Sequence, residues 1–251
     1  IASEAIKKGK HVLIEKPGAK NISDFQKVIQ AYKKNPVVVM IGYNHRYHPA
    51  ISHAKKIIDS GNYGHILFMR GRYGHGGRLG YEKEWRFDPK IAGGGELLDQ
   101  GSHLIDLVHY FAGSMTKVRG FVSNMFWKSK LEDAAFFQLK NQKNQFAHLC
   151  ATALEWKNIF IFEIMLKTAK LQINGLGGSY GPETLTLYKM KPQMGPPDVE
   201  NFEFPSYDES WKKETHEFFS RIEKKDISPQ NILAAKYVLE TIDKIYKQNN
   251  E

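Results

Sequence analysis

At 251 residues, with 41% hydrophobic and 12% aromatic content, the chain can hold one large folded domain or one and a half smaller ones. No run of eighteen apolar residues is present to span a membrane, and the single cysteine, Cys150, excludes an internal disulfide framework and fits a reducing cytoplasm. The formal net charge of +9 is scattered over lysine pairs such as Lys7-Lys8 and Lys212-Lys213 on predicted helices. With no basic stripe or aromatic ladder, it suits an anionic small molecule, such as a phosphorylated cofactor, better than nucleic acid.

The chain opens without methionine and already inside a helical pattern, which reads as a fragment whose beginning lies upstream. Residues 2–8 form the end of a helix closed at Gly9, followed by the apolar strand His11–Ile14. Asn21 or Ser23 caps a second helix running to about Lys34, and Val37–Ile41 is a β-branched run. Helix, strand, helix, strand with continuous apolar strands is the pattern of parallel strands buried on both faces, so residues 1–45 read as the tail of a doubly wound α/β domain. A helix follows Pro49, and residues 46–251 then change character. Ile66–Tyr73, Val118–Phe126, Ala134–Leu139, Phe146–Leu154, Ile159–Leu166 and Leu171–Ile173 are strand-like, several with period-two alternation and short polar turns between them. They predict a large, mostly antiparallel sheet. One long helix, about Glu96 to Phe111, interrupts them, Pro192–Pro205 reads as a loop, and helices at about 209–225 and 229–248 close the chain. Cys150 falls in an alternating run and reads as a buried core thiol.

Chemistry concentrates in the stretch Gly93-Gly94-Gly95-Glu96-Leu97-Leu98-Asp99-Gln100-Gly101-Ser102-His103. On a helix, Asp99 and His103 share a face, where the carboxylate would fix the imidazole tautomer. The three preceding glycines, each a cost to stability, read as room for a ligand close to the backbone. Glu15-Lys16-Pro17 follows directly on a strand, at the carboxyl edge where open parallel sheets bind ligands. Lys16 there can hydrogen-bond a substrate hydroxyl, and Pro17 constrains the turn, with a cis peptide as one option. Asn44-His45-Arg46 and Trp85-Arg86 are further polar clusters. Gly71–Arg78 reads as a mobile glycine loop over the site, since it lacks a phosphate-loop ending. His75 or His45 could join Asp99 and His103 as metal ligands, but no His-Glu-x-x-His spacing or cysteine cluster appears, so no metal is expected.

Taken jointly and in order, Gly9-Lys10-His11-Val12 into Glu15-Lys16-Pro17, Gly42–Arg46 with Pro49, Trp85-Arg86, Gly93-Gly94-Gly95, and Asp99 with Gly101, His103 and Asp106 resemble the Gfo/Idh/MocA (glucose-fructose oxidoreductase/inositol dehydrogenase) family. Trp211, Glu214 and Phe218 resemble its closing helix. The resemblance implies a Rossmann domain followed by an α+β domain whose open sheet face commonly joins copies in a homo-oligomer. It implies a cytoplasmic NAD- or NADP-dependent oxidoreductase of a sugar, nucleotide sugar or cyclic polyol. It further implies Lys16, Asp99 and His103 as the catalytic group, with His103 taking the hydroxyl proton, Lys16 polarising that oxygen, and Asp99 orienting His103 or binding a substrate hydroxyl. Glu15, Lys16, Pro17, Asn44, Trp85 and Arg86 would line the cofactor side. The glycine fingerprint of the Rossmann half is absent from this sequence, so the stretch as given is expected to bind dinucleotide poorly. The rival expectations are a non-catalytic sugar-binding or scaffolding member of the fold, and a hydrolase built on Asp99 and His103.

Overall fold

A computed structural model describes residues 1–205 and 207–249. Helix α1 (Ala2–Lys7) ends in a turn where Gly9 adopts φ +70°, and strand β1 (Val12–Glu15) leads into helix α2 (Ile22–Lys34). Asn21 caps α2, its side chain accepting the Asp24 N–H at 2.8 Å, while Phe25, Val28 and Ile29 face inward. Strand β2 (Val39–Gly42) pairs with β1 in parallel, setting Glu15 opposite Gly42, so the chain leaves both strands at the same edge. Helix α3 (Pro49–Asp59) starts with proline in its first turn, where a missing N–H is no loss.

The remaining strands form one eight-stranded sheet from β3 (Ile66–Gly74), β4 (Lys117–Ser123), β5 (Ala134–Lys140), β6 (Phe146–Thr152), β7 (Ile159–Leu166), β8 (Ala169–Asn174), β9 (Thr184–Lys189) and β10 (Asp198–Glu203), in the order β10-β9-β8-β7-β3-β6-β5-β4. All neighbours are antiparallel except β3 and β6, which run parallel at its centre. Alternation decides the faces. Phe137, Leu149, Phe162 and Leu171 point to a buried side covered by α4 (Glu96–Ala112), α6 (Gln230–Gln248) and, over β8 and β9, α3, while α5 (Ser210–Glu223) packs on the turn at residues 44–47. On the other side Phe68, Phe121, Phe136 and Phe146 are exposed, with Phe121 78% accessible.

Two expectations need correcting. Pro192–Pro205 is not all loop: Asp198–Glu203 is an edge strand registered on β9. Its residues are nearly all exposed, and its charges pair with the neighbouring chain (Lys191 Nζ with Asp198 Oδ1 at 2.8 Å) instead of alternating with apolar ones. Such an edge carries no period-two signal. Cys150 is half-buried on the open face, registered against Arg72 and Phe136, and not in the core. Burial pushes its thiol up to about 11, away from the reactive thiolate.

Helix α4 carries both Asp99 and His103. It is buried on nearly every side, with its first turns pointing at the edge where β1 and β2 end. At its N-terminus the Glu132 carboxylate accepts the Gly95 N–H at 3.0 Å, the Leu97 N–H at 3.2 Å and the Tyr246 hydroxyl at 2.6 Å, so an acid meets the positive end of the helix.

Candidate active site

Lys16 leaves the end of β1 next to a cis Lys16–Pro17 peptide and reaches across to α4. There, in the first turn of α4, its ammonium donates to the Asp99 main-chain carbonyl at 2.8 Å and pairs with the Asp99 carboxylate. Arg86 approaches the other carboxylate oxygen at 3.7 Å. Burial would raise the Asp99 carboxyl, but the Lys16 ammonium, with Arg86 and His75, outweighs it and holds the group below its ordinary value.

His103, one turn beyond Asp99, is 5% exposed and stacks on His45, ring centroids 3.7 Å apart and planes 15° from parallel. Its Nδ1 is buried with no hydrogen-bond partner among the described residues, as is that of His45. Burial, then the neighbouring His45 and Lys16, push the His103 imidazole well below its usual range. His45 is pushed the same way by burial, His48 and Lys16. Asp99 and His103 share the helix face, yet no hydrogen bond joins them among the described residues. The carboxylate turns to the two cations, and the imidazole is held by the stack.

These groups open onto one cavity of about 440 Å³ that contains Lys16, Asp99 and His103 together with Asn44, His45 and Tyr180. A second cavity of about 350 Å³ shares Glu15, Lys16, Arg86 and Asp99 with the first and adds Pro17, Trp85, Gly94, Gly95 and Glu96. Of the residues expected on the cofactor side, Glu15, Lys16 and Arg86 border both spaces, and Pro17 and Trp85 only the second. Asn44 borders only the first, tied to α5 by a 2.8 Å bond from its amide to Ser210 Oγ. Arg86 lies 4.6 Å over the ring of Trp85, which is 54% exposed and presents an aromatic face with a cation attached.

Asp106, two turns after Asp99, is engaged elsewhere: it is fully buried and accepts from Arg46 Nε at 2.8 Å. His109 packs flat on Tyr237, centroids 4.7 Å apart. From the glycine-rich loop after β3, Gly77, Arg78 and Tyr81 line the main cavity, and His75 contacts Glu96 at 3.4 Å. The glycine run itself is explained by contacts within the protein. A Cβ on Gly95 would collide with the Glu132 main chain, one on Gly94 with the Tyr246 hydroxyl, and Gly93 adopts φ +84° against Lys20. Sequence reasoning missed His48, Asn158 and Asp208, which arrive from scattered connections and carry no local signal, while Tyr73, inside the stretch read as a loop, stands on β3. Among the described residues, no group of three or more His, Cys, Asp or Glu side chains is arranged to hold a metal ion. Among those residues, no helix is long and apolar enough to cross a membrane.

Comparison with known proteins places this arrangement. A family model described as "GFO/IDH/MocA C-terminal domain" matches residues 51–180, just over half the chain, and one described as "Oxidoreductase family, NAD-binding Rossmann fold" matches residues 1–43. Among curated relatives, a levoglucosan dehydrogenase of Pseudarthrobacter phenanthrenivorans is 36% identical over 125 residues, covering 49% of this chain and 32% of that protein. An inositol 2-dehydrogenase of Salmonella paratyphi B is 40% identical over 74 residues, 29% of this chain and 22% of that protein. The matched stretches thus span about a third or less of these relatives' length. Among solved structures, levoglucosan dehydrogenase in complex with NADH and levoglucosan superposes with a TM-score of 0.89 at 23% identity, covering 100% of this chain and 74% of that one. An aldose-aldose oxidoreductase from Caulobacter crescentus complexed with glycerol gives 0.82 at 23% identity, over 98% and 73%. At these identities the structural likeness establishes the fold.

Proposed function

Because the chain belongs to the GFO/IDH/MocA oxidoreductase family, we propose that it carries the substrate side of an NAD- or NADP-dependent enzyme that oxidises a hydroxyl, or reduces a keto carbon, of a sugar, nucleotide sugar or cyclic polyol. The observation that supports this most is the meeting of Lys16, Asp99 and His103 around one cavity. The aromatic and cationic wall of Trp85 and Arg86, beside Glu15, Lys16 and Pro17, fits a nicotinamide and its ribose, with the orphaned Glu96 Oε2 a further polar acceptor in that wall. When bound, that group supplies the carbon that accepts or donates hydride.

The chain's own residues do the rest. His103, kept neutral by burial and by neighbouring positive charge, is a base for the substrate hydroxyl. Lys16 has three N–H donors, two of them engaged by Asp99, and the third can stabilise the oxygen as negative charge develops on it. Asp99 fixes the ammonium and offers a carboxylate oxygen to a substrate hydroxyl. The exposed phenylalanines of the open sheet face support assembly of like chains through that face. A cytoplasmic setting, expected from the lone cysteine, belongs to the same reading.

The test uses the full-length protein and nicotinamide absorbance with a panel of sugars and cyclic polyols. His103→Ala and Lys16→Ala are each expected to slow turnover on the order of a hundredfold or more. Unchanged rates in both would refute the assignment.

A further inference from the structure

His48 lines the main cavity and is backed by a buried carboxylate, a group the hydride chemistry does not use. Glu183, 1% exposed, lies just before β9 and reaches the start of α3. Its Oε1 accepts the Ala50 N–H at 2.8 Å, while Oε2 accepts the Gly177 N–H at 3.1 Å and lies 2.9 Å from His48 Nδ1. An oxygen so placed only accepts, so Nδ1 carries the hydrogen and Nε2 is left for the cavity.

Among the described residues, no hydrogen bond occupies that Nε2. Asp208 Oδ1 stands 4.0 Å from it, beyond hydrogen-bond reach, and is itself fixed by the Ser210 N–H at 2.7 Å where α5 begins. Both groups line the cavity that contains His103, and the His48 ring lies 5.7 Å from His45, the ring on which His103 stacks. Two polar groups, each anchored by a buried or backbone partner, thus face each other across 4.0 Å.

We infer that His48 and Asp208 form a subsite for two hydroxyls on adjacent carbons of the substrate, away from the carbon that exchanges hydride. This rests on the proposed oxidoreductase reading and narrows its substrate to a ring bearing a vicinal diol. Two adjacent hydroxyls fit either protonation state of His48. With a neutral ring, one hydroxyl donates to Nε2 and the other to the Asp208 carboxylate. With a charged ring, one accepts from Nε2–H while its neighbour donates to Asp208. A single hydroxyl satisfies both groups only in the charged state. Glu183 is the positioning residue, because it sets which nitrogen faces the cavity.

The experiment uses the full-length protein with myo-inositol, levoglucosan and D-glucose as probes, read by calorimetry and by steady-state kinetics. For the probe that binds most tightly, Asp208→Ala and His48→Gln are expected to raise Kd and KM about tenfold or more, with kcat within about threefold, since hydrogen bonds to the remote diol are made before and during reaction alike. Asp208 is at the rim, so its variant keeps the question answerable if His48→Gln fails to fold. Unchanged Kd and KM in Asp208→Ala, with turnover still slowed on the order of a hundredfold in His103→Ala, would overturn the subsite and leave the reaction standing. A wild-type protein that neither binds nor oxidises any of the three probes would overturn both.

Discussion

Replacing Gly95 by alanine tests whether the glycine run serves the protein or a ligand. Gly95 has φ −94°, outside the left-handed region, so no positive-φ strain enters. The obstacle is steric. A Cβ there would sit 2.8 Å from the Glu132 carboxyl carbon and 2.9 Å from its carbonyl carbon, and nearer still to the carbonyl oxygen. Carbon atoms prefer about 3.5–4.0 Å, and neither neighbour can yield easily. Glu132 is anchored by three hydrogen bonds on its carboxylate, and its carbonyl accepts the Glu96 N–H at 3.1 Å. Overpacking of this kind costs about 3 kcal/mol, which for a chain of this size lowers Tm by roughly 6–12 °C. Gly9→Ala is the control: its φ of +70° carries the left-handed strain, but nothing lies within 4 Å of the added carbon. It should lose only about 1 kcal/mol. Thermal melts followed by circular dichroism read both. If Gly95→Ala melts within a degree or so of wild type, the packing account fails and the glycines are there for a ligand.

The imidazole of His103, held well below the ordinary 6.5 by burial and adjacent positive charge, stays neutral as the pH falls. The acid limb of kcat/KM for oxidation should therefore lie below pH 6.5, and a limb at or above that value would count against His103 as the base. Glu214, raised to about 7 by burial and by the facing Glu15, behaves oppositely. Its folded value exceeds its unfolded one, so its contribution is complete below about pH 4.5 and is lost as pH rises to about 7. Glu214→Gln should stabilise the protein at pH 8 relative to pH 5 by on the order of 2 kcal/mol after solvent screening, read as a difference in Tm shift between the two pH values. Phe121 and Phe136 face each other across β4 and β5 on the open side. Phe121→Asp with Phe136→Asp should convert an oligomer to monomer in sedimentation, and an unaltered mass would remove that face as an interface.

The elements legible in the sequence are those whose burial is periodic. β7 alternates without interruption along its length, and α4 and α6 carry apolar faces three or four residues apart, so their bounds are set by the pattern. β10 escaped because an edge strand buries little and is stabilised by backbone pairing to β9, which leaves no mark on residue type. The parallel pairing of β3 with β6 was invisible for a related reason: short turns imply antiparallel neighbours in sequence, but β3 and β6 are 72 residues apart at their closest ends and meet only in the sheet. At the site, Lys16, Asp99 and His103 stand out because each sits at a strand end or on a helix face that sequence can locate. His48, Glu183 and Asp208 come from three connections brought together by the sheet order. What the glycines touch was likewise unreadable, since Glu132 and Tyr246 lie far along the chain. Proximity along α4 also misled, because a helix face says which side chains are neighbours and not which of them a cation captures.

That capture gives the site its logic. Asp99 and His103 have opposite requirements if one is to stay charged and the other neutral at the same depth of burial. Burial alone favours the neutral form of both, which suits the imidazole and not the carboxylate. A single ammonium resolves the conflict. Lys16, paired with Asp99, draws the carboxyl back below its ordinary value, and the same positive charge, acting on His103 through the cavity, opposes protonation of the ring. His45 adds to the second effect from its place in the stack. An Asp99–His103 hydrogen bond would instead have drawn the imidazole back toward its ordinary range and favoured its charged form. Under the proposed function, the separation of the two side chains keeps the ring neutral to lower pH while leaving the carboxylate charged beside the ammonium.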